Sequence, residues 1–272
     1  LYGFNFTHEG LIMNNKLIKS VMLGAVAALT SMQSSALVIG HFDSSRELYG
    51  MDTGYISGAA QWLTDNGHTL VSTDNADATF LSSVDAFYTG LISSVSTAEI
   101  SAMQNFVDVD GGFLFIQQDY DGSAWHTASS QILANWGIGN SAGTYSNDSG
   151  HYTVGTSDWI TQPNLVTGFT GSAHSSINVI PQDFEVLAYD DMDRAIMGVF
   201  DAGAGRSSDV FVATDIDFWS SIGWADNRNQ MLWENIWTAA AVQIEPPTVT
   251  NANAPATLGL LAMALGLVHY RR

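Results

Sequence analysis

The 272-residue chain contains no cysteine. That excludes disulfides, thiolate metal sites and any cysteine nucleophile. Basic residues are almost as scarce, with eight Lys and Arg against twenty-seven Asp and Glu. Lys16 and Lys19 lie near the start, and Arg271 and Arg272 end the chain. The body between them keeps only Arg46, Arg194, Arg206 and Arg228, facing every acidic residue but Glu9, a charge near −22. Such a surface repels phosphate backbones and excludes nucleic acid as a partner. Anionic lipid headgroups are disfavoured for the same reason. Salty surroundings or divalent cations suit it, as does plain solubility of an exported protein. Also absent are a Gly-x-Ser-x-Gly elbow, a His-Glu-x-x-His zinc motif and EF-hand spacing. What is present is an apolar fraction of 46% and eight tryptophans, enough for a globular core.

The two ends differ from the body. Residues 13–36 read MNNKLIKSVMLGAVAALTSMQSSA. A short positive stretch, an apolar run from Val21 to Leu29 and small residues before Ala36 form the three parts of a secretion signal. Cleavage by signal peptidase is expected after Ala36. Residues 1–12 precede Met13 and read as an over-extended start. At the other end, Leu258 to Tyr270 is apolar but shorter than the roughly 20 residues that span a bilayer comfortably. Counted from Pro255 the stretch just spans, with the arginine pair stopping on the cytoplasmic side.

Pro255, Thr257 and Leu258, the Gly/Leu/Ala-rich stretch and the pair Arg271 and Arg272 together resemble the PEP-CTERM sorting signal of Gram-negative bacteria. The resemblance covers about 251–272. Pro255 matches the second proline of the family's Pro-Glu-Pro motif, while Asn253 and Ala254 replace its first proline and glutamate. It implies an exosortase-type processing enzyme as a partner, passage through the inner membrane to the cell surface or beyond, and an exopolysaccharide context. Residues 244–254, with Pro246-Pro247, read as a stiff polar linker.

Between the ends, 37–243 alternates short apolar runs with helical segments. Strands are expected at Leu37–Phe42, His68–Ser72, Asp85–Thr89, Gly111–Gln117, Phe184–Ala188, Ala195–Phe200 and Asp209–Thr214. Helices are expected from Gly54 to Asn66, with Gly67 as the cap, and from Ser96 to about Val107, where Ser96 and Glu99 form a capping box. Further helices are expected over Ser129–Trp136 and Asn227–Val242, the last burying Met231, Leu232, Ile236 and Trp237. Residues 120–180 read as a loop-rich insertion. Strand–helix–strand repetition predicts a parallel sheet with helices on both faces.

The order, with Gly205–Asp217 and then Asp226-Asn-Arg-Asn, resembles the class I glutamine-amidotransferase-like domains, a flavodoxin-like α/β arrangement. Their catalytic members use a cysteine at a strand-to-helix elbow, which this chain lacks. No catalytic residue is therefore assigned. Ser123 and His126 follow the fourth strand, and an ordinary polar loop accounts for them. Asp43, Asp119, Asp215 and Asp217 fall at the expected C-terminal strand ends, where open α/β sheets bind ligands. Converging, they would hold Ca or Mg; separately, they would cap helices and form turns. Histidines are expected at the surface or in loops. Trp125, Trp136, Trp159, Trp219 and Trp224 are expected in loops, packing the insertion or stacking on sugars, with Trp62, Trp233 and Trp237 in the core. The expectation is a non-catalytic exported protein binding an extracellular polysaccharide or envelope partner. The alternative is a hydrolase of glycans or small metabolites with a carboxylate or metal centre.

Overall fold

Strands that are apolar on consecutive residues must be covered on both faces, and the centre of this molecule is built that way. The computed structural model describes residues 36–120, 124–146, 151–203 and 205–244. The expectations for 1–35 and 245–272, the signal segment, linker and sorting tail among them, fall outside the described residues. Among the described residues no helix is long and apolar enough to cross a membrane.

In chain order the elements begin with β1 (Val38–Phe42), β2 (Glu47–Tyr49), α1 (Ser57–Asp65), β3 (Thr69–Thr73), α2 (Ala78–Leu81), β4 (Ala86–Tyr88), β5 (Leu91–Ile92) and α3 (Thr97–Asp108). Next come β6 (Phe113–Gln117), α4 (Ala124–Leu133), β7 (Gly139–Ser146), β8 (Thr153–Val154), α5 (Asp158–Thr161) and β9 (Ala173–Val179). Last are β10 (Phe184–Tyr189), β11 (Ala195–Phe200), β12 (Val210–Ala213) and α6 (Asn227–Ile244). One eight-stranded sheet runs β3-β1-β4-β6-β12-β11-β10-β8. Its first five strands are parallel. Beyond β12 every pairing is antiparallel. Pairs β2–β5 and β7–β9 form two small antiparallel ribbons.

Side chains alternate across each strand, so neighbouring residues feed different cores. Phe113, Phe115, Phe211 and Ala213 pack with α1, α5 and α6 on one face. Leu114, Ile116, Val210 and Val212 pack with α2, α3 and α4 on the other. Helices thus cover both faces, as the alternating pattern predicts. The Ser96–Glu99 capping box is present, and Arg46 reaches Glu99 at 2.9 Å. Gly67 follows α1 at φ 90°, a conformation that L side chains rarely adopt.

Two expectations are corrected, and one alternative is decided. The helix expected from Ser129 begins by Ala124 and ends at Leu133, with a 3₁₀ turn over Ala134–Trp136. Of the loop tryptophans, Trp136, Trp159 and Trp219 take the packing alternative and are buried, Trp219 meeting Trp233 at a tilt with centroids 4.8 Å apart. A large apolar ring goes inside wherever a loop folds back on the sheet. Three histidines are also internal, namely His41, His68 and His174. His68 accepts the Leu37 N–H at 3.1 Å, and burial holds its pKa down.

The insertion is fastened to α6 by two buried asparagines. Asn229 accepts from the Thr170 N–H at 3.0 Å and donates to the Thr170 and Phe218 carbonyls. Asn235 accepts from the Asn164 N–H at 2.9 Å and donates to the carbonyls of Ile160 and Asn164. Loop backbone that is buried needs such partners, and truncation would orphan several groups at once. Asn229→Ala and Asn235→Ala are each expected to cost about 2–3 kcal/mol. In a domain this size that lowers Tm by roughly 4–12 °C, measurable by thermal denaturation.

Candidate functional site

Asp215 follows β12 and is fully buried. Its Oδ2 accepts the Ser172 N–H at 2.6 Å and its Oδ1 the Asp217 N–H at 2.8 Å. The carboxyl thus caps the short turn Ile216–Phe218 and ties the insertion to the sheet edge. Gly171 must be glycine here, since a Cβ would lie 2.5 Å from Asp215 Oδ2. Burial, and after it the nearby charge of Asp119, pushes the Asp215 pKa well above the carboxylate range.

Asp119 follows β6, the strand beside β12, and is 7% exposed. Its Oδ1 accepts the Tyr120 N–H at 2.8 Å. Burial raises its pKa to about 7, with the charge of Asp217 adding to the rise. Asp217 completes the group, accepting from the Tyr55 hydroxyl at 2.7 Å. Burial and that bond hold the phenol of Tyr55 strongly protonated.

Asp119, Asp215 and Asp217 lie near enough for their charges to act on one another. Asp43 does not join them. It leaves the sheet at β1, two strands from β6, and its carboxylate accepts from the Ser45 N–H at 2.9 Å and hydroxyl at 2.6 Å. It forms a turn, the alternative role of such a residue. Ser123 lies outside the described residues, while His126 lies on α4, where Ser130 bonds to its carbonyl. Among the described residues no group of three or more His, Asp or Glu is disposed to hold a metal ion. Asp119, Asp215 and Asp217 couple through their charges without converging on one centre.

Sequence reading misses the aromatic half of the site. Tyr55 bonds Asp217 through its hydroxyl and packs its ring on Tyr49, centroids 4.6 Å apart. Trp125 stands nearly perpendicular to Tyr49 at 6.1 Å and to Tyr120 at 5.6 Å. Tyr49 and Tyr120 remain 38% and 37% exposed, so the wall faces outward. The Trp125 indole N–H is buried without a hydrogen-bond partner. These rings come from β2, the segment before α1, the β6 end and α4. Only the loop tryptophan Trp125 carries a signal in the sequence.

On the same strand as Tyr49, Glu47 is a further buried carboxyl. Neither oxygen has a hydrogen-bond partner, and both are cradled against Gly50 and Gly90, where a Cβ would collide with them. The Asp52 and Met51 N–H groups face it without closing a bond. Burial raises its pKa to about 9.

No family model matches the chain, and no curated protein sequence does. Solved structures do. The mmIFT52 N-terminal domain superimposes with a TM-score of 0.65 at 12% identity, over 75% of this chain and 97% of that one. A protein described as ThuA-like, from Parabacteroides merdae, gives 0.52 at 10% identity, over 80% and 94%. A protein described as one subunit of GMP synthase, from Thermoplasma acidophilum, gives 0.46 at 10%, over 76% and 96%. Identities this low concern fold alone. The fold is an α/β sheet whose parallel strands run in the flavodoxin-like order β3-β1-β4-β6-β12, with helices on both faces.

A buried acid with a raised pKa binds more protons folded than unfolded, so stability falls as pH rises from its unfolded to its folded value. For Glu47 that window runs from 4.5 to about 9, and for Asp119 from 3.8 to about 7. Glu47→Gln, which stays neutral, is expected to lose several degrees less of Tm between pH 7 and 9 than the wild type, the other buried acids contributing equally to both. An equal slope in both proteins would show that Glu47 does not carry the effect.

Proposed function

We propose that the protein is an exported envelope or cell-surface binding domain that takes a saccharide of the extracellular matrix at the carboxyl edge of its sheet. The observation that carries this is the wall of Tyr49, Tyr120 and Trp125 beside the carboxyls of Asp119 and Asp217. Apolar ring faces stack on sugar rings, and a few fixed acceptors orient hydroxyls, which is the usual division of labour in a small-molecule site. The edge is also where open α/β sheets bind ligands. Export rests on the 13–36 signal and the sorting-like 255–272 tail. The chain has no cysteine and no Gly-x-Ser-x-Gly elbow, and a binding role needs neither.

Tryptophan fluorescence is expected to titrate with oligosaccharides of the host's matrix, and Trp125→Ala to weaken binding at least tenfold. Unaltered fluorescence across a panel of matrix glycans would refute the binding site. Intact mass of the native protein, lacking about 1–36 and the segment from Pro255, would support export with processing. A retained C-terminus confined to membranes would instead make 255–272 an ordinary anchor.

One observation favours a second reading, hydrolysis of a glycan. Burial raises the pKa of Asp119 to about 7, the range in which a carboxyl serves as general acid or base near neutral pH. In that case Asp119→Asn abolishes release of reducing ends while leaving glycan binding within a few-fold of wild type. A binding domain releases none with either protein.

A further inference from the structure

One buried histidine sets an acceptor against an acceptor. His174 lies on β9 with no exposure. Its Nδ1 stands 2.7 Å from the Ser175 carbonyl oxygen, which can only accept, so Nδ1 carries the proton of the neutral ring. Nε2 is then a bare lone pair. It faces Asp190 Oδ2 at 3.5 Å and closes no hydrogen bond. The Asp190 side chain is likewise without exposure. Only a second proton on the ring would join the two groups.

The surrounding charges oppose that proton. Asp190 is already compensated, since Arg194 Nε donates to Oδ2 at 2.5 Å and the Met192 and Arg194 N–H groups donate to Oδ1. The groups that face the ring are Asp190, Asp191 and Arg194 from the turn between β10 and β11, Tyr145 of β7 at 5.8 Å and Tyr152 at 5.5 Å. Asp191 is exposed, so solvent screens its charge. A protonated His174 would leave His174, Asp190 and Arg194 with one net positive charge where water does not reach. Burial accordingly holds the His174 pKa down, outweighing the Ser175 carbonyl and Asp190. The same stretch of chain holds the candidate site. Two residues earlier, Ser172 donates its N–H to Asp215 at 2.6 Å, and its carbonyl accepts from the Tyr152 hydroxyl at 3.3 Å. The Tyr152 ring also packs on Phe218, in the turn that Asp215 caps.

We propose that His174 is a proton-operated latch: uncharged, it keeps β9 packed on the Asp190 turn, and protonation in mild acid releases β9 together with the Ser172–Asp215 tie of the candidate site. The device goes beyond the saccharide reading and does not depend on what the crevice binds. Its sign is distinctive. A histidine whose folded pKa lies below the unfolded value of 6.5 contributes stability that is present above 6.5 and lost as pH falls. The buried acids Glu47, Asp119 and Asp215 run the other way and favour the folded state as pH falls. A local loss against that general gain therefore marks a histidine. His41 and His68 share the sign but lie on β1 and just before β3.

Hydrogen exchange of the full chain, followed by mass spectrometry and corrected for intrinsic rates, tests the latch. Protection over 172–179 is expected to fall about tenfold from pH 7.5 to pH 5.0, while 113–117 in the sheet centre keeps its protection. His174→Asn, whose amide can still donate to the Ser175 carbonyl but takes up no proton, is expected to hold 172–179 equally protected at both values. Arg194→Gln withdraws the competing positive charge, so His174 is expected to keep its proton beside Asp190 and the segment to stay closed at pH 5.0. Circular dichroism verifies the fold of both variants. A titration of the His174 ring by NMR in the wild type needs no variant, and its midpoint is expected to coincide with the loss of protection. Unchanged protection in the wild type overturns the latch, as does protonation of His174 without any loss. An equal fall in His174→Asn places the acid response elsewhere and overturns it too. An equal fall in Arg194→Gln removes the charge-balance argument on which the release depends.

Discussion

The candidate site depends on one buried carboxyl. Asp215 has no exposure, and both its oxygens are spent on backbone N–H groups from two separate segments, Ser172 in the insertion and Asp217 in the following turn. A neutral or charged carboxyl accepts such bonds, but no apolar residue does, so the position needs this side chain for geometry alone. From that anchor Asp217 is turned toward Tyr55, Tyr55 toward Tyr49, and Tyr49 toward Trp125. The acid and aromatic halves of the crevice are therefore one connected arrangement. Charge repulsion within the group is relieved because burial favours the neutral forms of Asp119 and Asp215.

The fold is largely legible in the chain. Val38–Phe42, Phe113–Gln117 and Val210–Ala213 announce themselves as runs of apolar residues, because a strand covered on both faces cannot alternate with polar ones. The capping box at Ser96 and Glu99 and the glycine after α1 mark helix ends through local chemistry. Residues 124–128 are harder. Their helix runs through Ala, Trp, His and Thr, a stretch without helical periodicity, and packing of Ala128, Ile132 and Leu133 decides it. The tryptophans of the irregular segments read as loop residues because sequence shows the segment and not the direction in which a ring points.

Of the site, the part carried by the strand ends is readable, since Asp119, Asp215 and Asp217 each follow an apolar run. Asp43 follows one as well, and nothing in the sequence separates it from the others. Only the sheet order does that, by setting β1 two strands from β6. Tyr49, Tyr55 and Tyr120 carry no motif at all. They lie on different segments and become a wall through tertiary packing, a long-range property that no local pattern encodes. The buried asparagines of α6 are hidden for the same reason, for Asn229 and Asn235 look like surface residues until their backbone partners are known.

The placement of β12 and α6 has a consequence for how the chain acquires its structure. β12 inserts between β6 and β11, so residues 113–117 wait nearly a hundred residues for their neighbour. The rings of Phe113 and Phe115 are then covered by Trp233 and Trp237, close to the end of the described chain. Such non-local closure makes folding slow, because the entropy of the long loop is lost before its contacts repay it. A nascent chain cannot seal this centre until α6 has been made. The acidic surface keeps such open chains apart by mutual repulsion until α6 arrives.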